Sequence, residues 1–100
     1  MKIHEVKTHP EYFQLSRSGV KPFELRYNDR DYQEGDYLYS REYHPVLQKY
    51  TGRWSVYRID YTLKGEWLAE GYIAMTIASI QDYAEYVQVL DALFMPAEHA

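Results

Sequence analysis

The sequence predicts an α+β domain: a small mixed or closed barrel-like sheet of about five to six strands, with a short N-terminal helix and a C-terminal helix. Short strand-like segments separated by short turns fill residues 3–79, and apolar residues recur at helical spacing only after that. Tyrosine is also unusually frequent, with 12 copies in 100 residues. Its large ring and polar tip suit half-buried strand positions.

Taken in order, "IHEVKT" (Ile3–Thr8) is short, rich in β-branched residues and read as a strand. "PEYFQLSRSG" follows as a short helix. Pro10 costs nothing in the first turn, Tyr12, Phe13 and Leu15 supply an apolar side, and Gly19 suits the position past the end. "PFELRY" (Pro22–Tyr27) alternates, with Phe23, Leu25 and Tyr27 on one side and Glu24 and Arg26 on a polar face. Asn28–Asp36 is turn chemistry. Tyr37–His44 reads as a strand, Pro45–Gly52 as its turn, and Arg53–Gly65 as the longest strand. The apolar phase of that strand shifts between Trp54/Val56 and Tyr57/Ile59/Tyr61/Leu63, which predicts a bulge or strong twist. Gly71–Ser79 is nearly all apolar and reads as a central strand. Ile80, Tyr83, Ala84, Val87, Leu90, Leu93 and Phe94 mark the final helix, with Ser79 and Asp82 at its start and Met95-Pro96 at its end.

One hundred residues make one domain. There is no cysteine, so disulfides and thiol chemistry are excluded. No apolar run approaches the roughly 20 residues that cross a bilayer. "MKIHEVKTHPEY" lacks the apolar centre of a signal peptide, and a cytoplasmic protein without membrane partners is expected. The net charge of −4 is unevenly spread. All 11 Lys and Arg fall in residues 1–64, while residues 65–100 carry six acids and no base. The first part can therefore present a basic surface, or the acids merely solvate a tail helix.

The densest polar run is "SGVKPFELRYNDRDYQEGDYL" (Ser18–Leu38). Lys21 and Glu24 are close enough to hold one another ionised or to exchange a proton in a dry site. Arg26 and Arg30 carry forked donors for carboxylate, phosphate or a base edge. Asn28 and Asp29 can read a donor–acceptor edge, and Tyr27 or Tyr32 can stack on a base. The competing reading is a set of surface ion pairs, each worth about 0–1 kcal/mol. His4, His9, His44 and His99 are scattered without metal-ligand spacing, so neither metal nor cofactor is expected. No serine lies in a nucleophile elbow, and there is no Gly-rich phosphate loop.

"IHEVKTHPEYF…SGVKPFELRYNDRDYQEGDYLYSREY…YTGR…EGYIAMTI" resembles the ASCH-domain superfamily, specifically its small phage and bacterial DUF3850-type proteins, from about Ile3 to Ile77. The resemblance implies a PUA-like barrel over residues 1–79; residues 80–100 lie beyond the usual end of the family pattern and are expected to form a helical extension that covers the barrel or makes a homodimer contact. It also implies a cleft near Lys21-x-x-Glu24 that binds RNA or a nucleotide-like ligand. Some small members of the superfamily are amidohydrolases acting on acetylated cytidine. Their reactive lysine aligns with Lys21, but Glu24 stands where they carry threonine.

The leading expectation is therefore a binding module for RNA or a modified nucleoside. Lys21, Arg26 and Arg30 would hold oxygens, Glu24, Asn28 and Asp29 would read a base, and Tyr27 or Tyr32 would stack. The alternative is a small hydrolase, an amidohydrolase or ribonuclease, with Lys21 as base or nucleophile and Glu24 as its partner. A third reading is a protein-interaction module that uses the acidic C-terminal helix.

Overall fold

The computed structural model describes residues 1–95. Its elements are β1 (Ile3–Thr8), α1 (Pro10–Arg17), β2 (Phe23–Tyr27), β3 (Tyr37–His44), β4 (Lys49–Leu63), β5 (Tyr72–Ser79) and α2 (Tyr83–Phe94). They form one five-stranded sheet in the order β1-β3-β4-β5-β2. β1 runs parallel to β3, and every other pairing is antiparallel. A flat sheet of this size would hold its edge strands roughly 19 Å apart, four spacings of about 4.8 Å. Here Arg26 of β2 reaches β1, donating to the Lys7 carbonyl at 3.0 Å and the Thr8 hydroxyl at 3.3 Å. The sheet is therefore curled into a half-barrel, with an open seam between β1 and β2.

The concave face holds the main core of Val6, Tyr32, Leu38, Tyr57, Ile59, Ile73, Met75 and Ile77. Toward the C-terminal end of β1 this face turns polar. Thr8 and Ser40 share a hydrogen bond of 2.7 Å, and Glu42 accepts from Thr51 at 2.6 Å. α1 lies against β3 and commits Phe13 to the interior, while Tyr12 and Leu15 stay partly exposed. Gly19 follows with φ of 83°, a left-handed turn that suits glycine.

One expected boundary moves. β4 begins at Lys49 rather than Arg53, because the turn closes by Gln48, whose φ is 53°. The hairpin strand then starts four residues earlier. The anticipated irregularity in β4 falls between Ile59 and Tyr61, and a second one in β3 lies between Arg41 and Tyr43. β5 lies between β4 and β2, and only alternate residues of it are buried.

The convex face is covered by α2. Tyr37, Tyr39, Val56 and Val89 are buried there, flanked by Ile3, Trp54, Ile80 and Leu93. The helix is capped by Asp82, whose carboxylate accepts from Glu85 N, so Ser79 belongs to β5 and is not the cap. Its buried stripe is also rotated from the expected one. Val89 and Leu93 face the sheet and the half-exposed Phe94 ring lies against Tyr39 and Trp54, whereas Tyr83 and Val87 point away. Polar contacts cause the rotation: Glu85 accepts from the Tyr37 hydroxyl at 2.5 Å and from Arg58 at 2.9 Å. The helix ends at Phe94, and Pro96 and His99 lie outside the described residues.

Burial, together with the hydrogen bond to Glu85, pushes the Tyr37 phenol up to about 12. A raised phenol contributes stability in full below its unfolded value near 10 and loses it as pH rises through the folded value. Tyr37→Phe should therefore cost about 1–2 kcal/mol at neutral pH. The gap between the two proteins in thermal melts should narrow between about pH 10 and 12. A gap of constant size across that range would show that the phenol proton plays no part.

Candidate functional site

β2 carries the centre of the site. Its phase is the reverse of the expected one: Glu24 is only 6% exposed, while Phe23, Leu25 and Tyr27 are about half exposed. Edge position explains this. β2 bonds to β5 on one side only, so its inward side chains fill the seam rather than the apolar core. A polar pair is tolerated there because its members satisfy one another. Glu24 accepts from Arg26 Nε at 2.8 Å and from Lys21 Nζ at 3.3 Å. Lys21 also donates to the Phe23 carbonyl at 2.8 Å and sits 5.2 Å from the Phe23 ring centroid.

The loop after β2 brings the next groups. Asn28 Oδ1 accepts from Tyr32 N at 3.1 Å, and Asp31 takes a left-handed φ of 51°. Arg30 is turned back across the seam, where its Nη1 donates to the Glu5 carbonyl. The loop ends on a buried anchor. The Asp36 carboxylate accepts from Lys2 N at 3.0 Å and Gln33 N at 3.2 Å, and meets His4 Nε2 at 2.9 Å. Burial alone would raise the Asp36 carboxyl, but the hydrogen bonds from His4, Lys2 and Gln33 outweigh it and hold it below the ordinary carboxylate value.

These elements enclose a cleft of about 730 Å³. Lys21, Glu24, Arg26, Tyr27, Asp29, Arg30 and Tyr32 all line it, whereas Asn28 does not and serves the loop instead. Tyr32 is 2% exposed and packs edge-on against His4, so its ring is core and has no free face for stacking. Burial pushes its phenol up, opposed by the Arg26 and Arg30 guanidiniums. Tyr12, Phe23, Tyr27 and Tyr72 are exposed rings of the lining, and Tyr27 and Tyr72 meet edge to face at 5.6 Å. Gly71 makes this arrangement fit, because a Cβ there would lie 2.6 Å from the Tyr27 ring.

Sequence reasoning missed Lys7, Thr8, His9, Tyr12 and Tyr72, which line the same cleft from β1, α1 and β5. None carries a local signal, since the curl of the sheet brings them in. The free backbone of β2 was also missed. Asn28 N bonds Gly71 O and Ile77 N bonds Pro22 O, so by ladder alternation the Leu25 amide and carbonyl point into the seam.

The curled mixed sheet, covered on its convex face by one helix and bearing a charged cleft at its seam, defines a small α+β fold. Residues 3–77 match the family described as "Domain of unknown function (DUF3850)", and the chain belongs to that family. It is also similar to the "Uncharacterized 12.9 kDa protein in GpA 3'region" of Escherichia phage P2, with 44% identity over 75 residues. That match covers 74% of this chain and 66% of the phage protein, just under two thirds of the latter's length. No helix among the described residues is long and apolar enough to cross a membrane.

Proposed function

We propose that the seam cleft binds single-stranded RNA or a nucleotide-like ligand, in a PUA-like domain of the ASCH superfamily working in the cytoplasm. The observation that carries this reading is a basic cleft with exposed rings at its mouth. Lys7, Lys21, Arg26 and Arg30 outnumber Glu24 and Asp29 among its lining residues, and Tyr27 and Tyr72 stand exposed beside them. A local cationic excess in a protein of net charge −4 suits an anionic ligand. Arg30 and Lys21 would meet phosphate oxygens, the Leu25 amide and carbonyl together with Asp29 would meet a base edge, and Tyr27 or Tyr72 would stack.

We rank a hydrolase second on the contacts of Lys21. Its amine donates to a carbonyl and a carboxylate, the contacts of a cation, whereas a base or nucleophile needs a free lone pair.

Titration of nucleotides and a short single-stranded RNA at low salt should give saturable binding. Lys21→Ala and Arg30→Ala should each weaken it about 5- to 20-fold and flatten its salt dependence. Absence of saturable binding, or affinities unchanged in both variants, would overturn the reading.

A further inference from the structure

A second groove, of about 550 Å³, opens on the other flank of α1, lined by Arg17, Arg53, Ser55, Tyr57, Ser79 and Tyr86 among others. Its floor is the end of the β4–β5 pair where Tyr57 and Ser79 stand opposite each other. No acidic residue lines it. Arg17 hydrogen-bonds no acceptor among the described residues and lies over the Phe13 ring, 5.7 Å from its centroid. Arg53 lies against the same ring at 5.0 Å, donates to Gln14 at 2.8 Å and approaches Glu42 no nearer than 3.7 Å. Two guanidiniums thus share one groove with a single counter-charge, the Glu42 carboxylate paired with Arg53 at 3.7 Å.

We infer that this groove is an oxyanion site separate from the seam cleft, and that its ligand is a phosphate group. Guanidinium forks match phosphate oxygens bidentately, and Ser55 and Ser79 add hydroxyl donors at the same wall. The groove is large enough for a phosphate with an attached sugar. The "YTGR" segment, which has no part in the seam cleft, supplies Gly52 and Arg53 here.

The test is an amide-resolved NMR titration of the full chain with inorganic phosphate, a 5′-mononucleotide and a short single-stranded RNA, each matched in ionic strength by chloride. Saturable shifts at Gly52, Arg53, Ser55 and Ser79 that chloride does not reproduce are expected. Arg17→Ala and Arg53→Lys should weaken the binding about tenfold or more, and Lys21→Ala should leave it intact. Arg17→Ala removes no ion pair among the described residues, only a contact over the Phe13 ring, and the dispersion of the amide spectrum reads directly whether the variant is folded. Response to phosphate or mononucleotide marks a monoester site, and response to RNA alone marks a phosphodiester site. Either supports the inference. Shifts that chloride reproduces, that both arginine variants retain, or that none of the three probes elicits would overturn it.

Discussion

Asp36→Ala is expected to lower stability by about 3 kcal/mol, a fall in melting temperature on the order of 10–20 °C for a domain of this size. The carboxylate is buried and joins the backbone of Lys2, the His4 ring and the Gln33 amide, so it ties the start of β1 to the end of the site loop. Its removal leaves buried donors without acceptors. Because its folded-state value is depressed, its contribution is present in full above the unfolded value near 4 and is lost as pH falls further. Melts of the wild-type and Asp36→Asn proteins should therefore converge below about pH 4. A difference that persists undiminished to pH 2 would remove the carboxylate's charge from the explanation.

Glu24→Ala should cost about 2–3 kcal/mol, since it strands the Lys21 ammonium and the Arg26 guanidinium beside each other in a half-buried seam. A double-mutant cycle with Arg26→Ala isolates the pair. The double variant should be less destabilised than the sum of the single ones, because Arg26 is then not left facing an empty site and only Lys21 loses its carboxylate. Strict additivity in denaturant melts would mean that the two side chains act independently. Glu24→Gln should lose less than alanine, because the amide oxygen still accepts from Arg26.

Strand-forming segments and both helices were legible in the sequence because each rests on local period and turn chemistry. β2 shows the limit of that legibility. Its alternation reveals that two faces differ, and only its place at the sheet edge decides that Glu24 turns inward. The α2 stripe fails for a related reason, since Tyr37 and Arg58, distant in sequence, fix the helix through Glu85. In the cleft, polar density over Lys21–Arg30 marked residues that do line one concavity. Tyr32 and Asn28 behave differently because an aromatic core position and a loop stay carry the same letters as ligand contacts. The wall formed by Lys7, Thr8 and Tyr72 follows from strand order, which no local pattern encodes.

The arginines that span the seam have one more consequence. By occupying the outward carbonyls of Glu5 and Lys7, they mask the free border of the first strand from neighbouring chains. Such covering opposes edge-to-edge strand addition along that border, without an additional strand to shut the barrel.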